Sequence, residues 1–137
     1  MFDILTKYKN NGHFFFKKGQ TLSQVCNAPE QAGVYFILML HTGKIELVHI
    51  GASGTINQKG EFNTQLLRGR SNNKQNGTKR QQFFEEIMVQ KEIDALDIYW
   101  FVTFDKDNRH LPSYVEALLL QKHFDIYGCF PEWNKGS

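Results

Sequence analysis

Between residues 33 and 50 the chain passes from a continuous apolar run, Val34 to Leu40, into a stretch from Lys44 to Ile50 where polar and apolar residues nearly alternate. An unbroken, partly β-branched run of this length suits a strand buried on both faces, and alternation suits one buried on a single face. His41-Thr42-Gly43 lies between them. A three-residue hairpin loop takes glycine at its left-handed third position, so the pattern predicts an antiparallel hairpin. Pairing Leu40 with Lys44 across that loop sets Tyr35 opposite His49, with both rings on one face of the sheet.

Elsewhere the periods change. Residues 1–32 mix Asn, Gly and Lys with the triplet Phe14-Phe15-Phe16 and read as an N-terminal extension packed on the domain. Within it, Thr21 to Cys26 predicts a short helix with Thr21 as N-cap. Gly51 to Gly60 is turn-rich. Phe62 to Arg70 has helical spacing, Ser71 to Lys79 is a polar loop, and Arg80 to Lys91 carries Phe83, Phe84, Ile87 and Met88 on one helical face. Leu96 to Phe104 predicts a third strand, Asp105 to Asn108 a turn, and Leu111 to Tyr127 a helix apolar on most sides and hence deeply packed. The expected order is β-β-α-α-β-α, an α/β domain of the α+β type whose three-stranded, mostly antiparallel sheet is flanked by helices.

Composition narrows the class. The 137 residues make one domain, with 1–32 as extension and 33–137 as its body, and 41% hydrophobic against 22% charged residues excludes disordered and collagen-like chains. No apolar run is long enough to span a bilayer, and the first residues lack a signal peptide's apolar segment. Cys26 and Cys129 are too few and too far apart for a disulfide scaffold or a zinc site. The expectation is a cytoplasmic protein without a membrane partner. Net charge is only +2, yet residues 59–80 hold Lys59, Arg68, Arg70, Lys74, Lys79 and Arg80 against Glu61 alone. Such a strip suits a polyanion, and equally a solvated loop.

Two adjacent strands reading Gly33-Val34-Tyr35 and His49-Ile50-Gly51, followed by a basic helix, resemble the signatures of the GIY-YIG nuclease family. Valine replaces isoleucine in the first, histidine replaces tyrosine in the second, and Ala52 stands where a lysine is frequent. Further residues fall in the family's order: Arg70 or Arg68 on the next helix, Glu116 on a late helix, and Asn134 near the end. The spacing from Leu67 favours Arg70, and Lys74 takes an ancillary polar position. The resemblance covers residues 33 to 134 and is carried by the order of several short motifs.

This resemblance implies a metal-dependent DNA endonuclease. Glu116 would hold one divalent cation, Mg²⁺ or Mn²⁺, since Mg²⁺ keeps several waters and needs few protein ligands. His49 would activate water, and an imidazole suits proton abstraction at neutral pH better than a phenol with a reference pKa of about 10. Tyr35 would position water or phosphate, and the arginine would stabilise developing charge. Arg68, Lys74, Lys79, Arg80 and Asn134 would contact DNA, and Gly33 and Gly51 are the motif glycines. Local readings stand beside these: Tyr35 and His49 as core, and Ser113-Tyr114-Val115-Glu116 as a capping box. A non-catalytic nucleic-acid-binding module of the same fold, or a protein-interaction domain with a basic surface, are the alternatives. Since no separate recognition domain is visible, low specificity, dimerisation or a recognition partner is expected.

Overall fold

The structure, a computed structural model, describes residues 1–54, 58, 59, 61, 62, 66, 67, 74, 75 and 78–135. After a 3-10 turn at Phe2–Leu5 come β1 (Asn11–Phe16), α1 (Leu22–Val25), β2 (Ala32–His41) and β3 (Lys44–Ser53). Two short paired segments follow, β4 (Lys74–Gln75) and β5 (Thr78–Lys79), then α2 (Arg80–Gln90), β6 (Ala95–Phe104) and α3 (Pro112–Tyr127). The main sheet has the order β1-β6-β2-β3, and every neighbouring pair is antiparallel. It holds four strands rather than the expected three, because Asn11–Phe16, read as part of an extension, pairs along the outer edge of β6. No helix among the described residues is long and apolar enough to cross a membrane.

The β2–β3 hairpin forms as expected, with a different turn and register. His41 pairs with Lys44, leaving a two-residue loop in which Thr42 (φ 48°) and Gly43 (φ 74°) are both left-handed. Two positive φ values give the turn whose twist matches the flanking strands. Farther along, Leu38 pairs with Leu47 and Ile37 with His49, so Val48 is the extra residue of a bulge. Tyr35 therefore pairs with Gly51 and not with His49, which corrects the expected register. The shift is by two positions, so parity survives and Tyr35 and His49 still share a face.

The long apolar run of β2 is buried on both sides. Tyr35, Ile37 and Met39 join Phe84, Met88, Leu96, Ile98 and Trp100 in one core, under α1 and α2. Val34 and Phe36 join Ile50, Leu5, Tyr8, Val115, Leu119 and Leu120 in another, under α3 and the N-terminal turn. The bulge lets Val48 reach the first core although its neighbours alternate. Contrary to expectation, α3 is not deeply packed. It is the outermost layer, and Tyr114, Phe124, Ile126 and Tyr127 are exposed while Val115, Leu119, Leu120 and His123 face inward.

Two further expectations meet the chain between β3 and α2. Most of the helix expected over Phe62–Arg70 lies outside the described residues. Leu67 is buried, and its N–H donates to the Gln31 carbonyl at 2.9 Å. The stretch expected as a polar loop contains the antiparallel β4–β5 pair, Lys74 with Lys79 and Gln75 with Thr78.

Candidate active site

Tyr35 occupies the central strand β2, flanked by Trp100 of β6 and Gly51 of β3. Because residue 51 has no side chain, the phenol lies across the neighbouring strand: a Cβ there would stand 2.4 Å from the Tyr35 Cζ and hydroxyl oxygen. Gly33, the other motif glycine, passes so close to β6 that a Cβ would meet the Phe101 carbonyl oxygen at 1.9 Å. Both glycines thus have steric reasons to stand where they do. The Tyr35 hydroxyl lies 3.4 Å from His49 Nε2, a long hydrogen bond whose direction follows the imidazole tautomer, and the ring centroids are 5.6 Å apart.

The arginine beside this pair is Arg80. As the first residue of α2 it shares the buried helix face with Phe84, one turn later. Its guanidinium carbon sits 5.1 Å from the Tyr35 ring centroid and 5.9 Å from that of Phe84. The expectation that Arg80 is a surface cation contacting DNA is corrected by its burial, with 6% of its surface exposed. Its Nε–H finds no hydrogen-bond acceptor among the described residues. A cavity of about 30 Å³, enough for a water molecule and far too small for a nucleotide, opens beside Tyr35 and Arg80 against Cys26, Ile98 and Trp100. Helical spacing could have found this arginine: Arg80, Phe84, Ile87 and Met88 form one stripe at i, i+4, i+7 and i+8.

Asn134 is not poised toward solvent. Its Oδ1 accepts from the Ile50 N–H at 3.0 Å, and its Nδ2 donates to the Ile50 carbonyl at 2.9 Å. The Trp133 N–H donates to the Val48 carbonyl at 2.8 Å. The C-terminal segment thus completes the outer edge of β3 on both sides of His49, in the manner of one more strand. Trp133 itself is buried against Phe83 and Phe84, and Lys91 donates to Glu132 at 2.8 Å. That bond, with the Glu132 charge behind it, raises the Lys91 ammonium above its usual value.

Glu116 sits half-buried in α3, on the helix that packs over the opposite face of the sheet from Tyr35, His49 and Arg80. The capping box is not formed. The N-cap is Leu111 with Pro112 behind it, so Ser113 is already inside the helix and Glu116 lies beyond the capping position. Arg68 and Arg70 lie outside the described residues, and for Lys74 and Lys79 only the backbone is described. Among the described residues no three His, Cys, Asp or Glu side chains gather as a metal-binding group. Glu116 carries the kind of hard oxygen donor that Mg²⁺ prefers, but on the other face of the sheet from the Tyr35–His49 pair.

Taken together, the chain places a phenol hydroxyl, an imidazole and a guanidinium on one sheet face, in a buried, largely aromatic pocket where charges interact strongly. Compared with known proteins, no family model matches the chain, nor does any curated protein or solved structure.

Proposed function

We propose that this protein is an endonuclease that hydrolyses DNA phosphodiester bonds, with Tyr35, His49 and Arg80 as its working residues on one face of the sheet and Glu116 standing apart from them on the other. One observation carries the reading: the Tyr35 hydroxyl, the His49 imidazole and the Arg80 guanidinium meet on one sheet face. The ordered signatures Gly33-Val34-Tyr35 and His49-Ile50-Gly51, and their resemblance to the GIY-YIG nucleases, support it. In this reading the neutral imidazole of His49 takes a proton from the attacking water. The Tyr35 hydroxyl orients that water or a phosphate oxygen. Arg80 supplies positive charge where the phosphorane-like transition state gathers negative charge, in surroundings too apolar for water to screen it. A Mg²⁺ or Mn²⁺ held by Glu116 would lie across the sheet from the Tyr35–His49 pair, so the residues as placed do not fit a metal at this site and no step is assigned to one.

The test is incubation of the purified protein with supercoiled plasmid, with Mg²⁺, with Mn²⁺ and with EDTA. Nicking that is lost in His49→Phe while the variant remains folded is the expected result. Glu116→Gln is the control for a carboxylate on the far face, and loss of nicking there with the fold intact would bring that residue back into the chemistry. Nicking at the wild-type rate in His49→Phe would overturn the assignment of the base.

A second reading is favoured by one specific feature. Tyr35, His49 and Arg80 are each more than nine-tenths buried, and Arg80 lies against two aromatic rings. That is the packing expected of a module that keeps the fold, binds nucleic acid through its basic strip and has no hydrolytic chemistry. Metal-independent DNA binding whose affinity falls steeply with salt, without nicking, would select it.

A further inference from the structure

On the α3 side of the sheet four rings form a column across the strands. Phe2 stacks on Phe36 at 4.1 Å, Phe36 on Tyr99 at 4.9 Å and Tyr99 on His13 at 4.6 Å, each pair within 9° of parallel. Helix α3 covers this face mainly over β2 and β3 and reaches β6, through Val115, Leu119 and Leu120. The β1 end is open: the side chain of His13 is 44% exposed, and Phe15, two residues along the same face, is 43% exposed.

The terminal ring is held in place. His13 Nδ1–H donates to Asp97 Oδ1 at 2.8 Å, and that carboxylate is buried. The His13 carbonyl accepts from Asn27 Nδ2 at 3.0 Å, and Asn27 Oδ1 in turn accepts from Trp100 Nε1 at 2.7 Å. Tyr99 covers one side of the imidazole, while Phe15 meets it edge-on at 5.6 Å and 72°. The other side of the ring is left to solvent. Around it the chain from Ile4 to Pro29 contains Lys7, Lys9, Lys17 and Lys18, all exposed, and no Asp or Glu.

We propose that the β1–β6 face is a binding platform for single-stranded nucleic acid, on which an unpaired base stacks against His13 and Phe15 while the lysines of residues 7–18 accompany its phosphates. An aromatic platform and exposed lysines before and after its strand are the two components that sequence-tolerant single-strand binding requires, and the Asp97 carboxylate at the platform is buried and already paired with His13. Duplex bases already have both faces occupied and cannot use the platform. The inference goes beyond the cleavage reading and does not need it, because binding is measured without metal.

The experiment is an anisotropy titration of fluorescein-labelled oligo(dT), and of a mixed-sequence duplex of equal length, in EDTA. The variants are Phe15→Ser, which removes an exposed ring, and His13→Asn, which keeps an N–H donor for Asp97. The wild-type protein should bind oligo(dT) more tightly than duplex, and each variant should lose roughly five- to hundredfold for oligo(dT) alone. Circular dichroism confirms folding, and if His13→Asn does not fold, Phe15→Ser decides the question. Equal affinity for the two nucleic acids, unchanged oligo(dT) binding in Phe15→Ser, or a size-exclusion dimer that forms through β1 while oligo(dT) stays unbound would overturn the proposal. A protein that never cleaves DNA can pass this test, and a nuclease can fail it.

Discussion

Tyr35 and Gly51 are cross-strand partners, and the phenol of the first occupies the space where the second would carry a side chain, 2.4 Å from an added Cβ. The motif glycine is thereby tied to the direction of the hydroxyl, which reaches sideways to His49 on the next strand.

Gly51→Ala should accordingly push the ring away from His49. Overpacking of this kind costs about 1–3 kcal/mol, measurable as a lower urea midpoint. In Tyr35→Ala the obstacle is absent, so Gly51→Ala should then cost little, and the double-mutant cycle should show strong coupling. Additive effects would mean that the ring and the glycine are independent.

Arg80→Met should separate stability from activity. An N–H left unpaired in the interior costs about 1–3 kcal/mol, whereas a guanidinium over aromatic rings contributes about 0.5–2 kcal/mol. Methionine fills similar space and also packs well on rings. Unfolding stability should therefore be unchanged or raised, while nicking falls by roughly 10²–10³ as for other removed transition-state donors. Severe destabilisation would make the arginine a structural strut, and unchanged nicking would return the role to Arg70.

Asn134→Ala should act through the fold. It leaves two backbone groups of Ile50 without their partners, at a cost of about 1–3 kcal/mol for each that cannot reach water. Asn134→Asp keeps the acceptor but sets a carboxylate against the Ile50 carbonyl, so it should not rescue. If Asn134→Ala keeps wild-type stability and loses only DNA affinity, the residue contacts DNA after all.

Alkaline pH should weaken the molecule through two phenols. Burial raises Tyr8 and Tyr99 above the ordinary 10.0, with the nearby Tyr114 adding to the first and the Asp97 charge to the second. The folded state then holds these protons more tightly than the unfolded chain. Their contribution is complete below pH 10.0 and is lost as pH rises through the folded-state values. Urea midpoints taken from pH 8 upward, alongside tyrosinate absorbance, should fall at the alkaline end. The fall should be shallower in Tyr8→Phe/Tyr99→Phe, and an identical fall in that variant would place the alkaline sensitivity elsewhere.

The sequence made some of this legible through periodicity and hid the rest where local pattern and tertiary role diverge. The hairpin, α2, β6 and α3 announce themselves as apolar stretches of element length bounded by turn residues, with helical spacing in α2. Strand β1 does not, because Phe14-Phe15-Phe16 conceals its alternation: Phe14 and Phe16 turn to the first core while Phe15 and His13 face the other side. The shared face of Tyr35 and His49 was readable, but the bulge at Val48 was not, since two adjacent apolar residues in a strand look like any buried run. The burial of Arg80 was hidden for a similar reason, while Arg70 lies outside the described residues. Spacing from Leu67 pointed to Arg70, while the guanidinium against Tyr35 belongs to a residue that charge counting had assigned to the surface.

The pairing of β1 with β6 joins residues 11–16 to residues 96–101. On a ribosome, the phenylalanine-rich segment therefore emerges well before the strand it pairs with and has to wait for it. Long-range antiparallel pairing of this kind folds slowly, because most of the intervening loop must be closed before the contact forms. The lysines that bracket the triplet, Lys7 and Lys9 before it and Lys17 and Lys18 after it, keep the waiting strand from pairing with copies of itself on neighbouring nascent chains. Moving residues 1–31 behind residue 135 by circular permutation would shorten the separation of the two strands by roughly half and should speed folding modestly, while any edge-on association of the nascent chain diminishes.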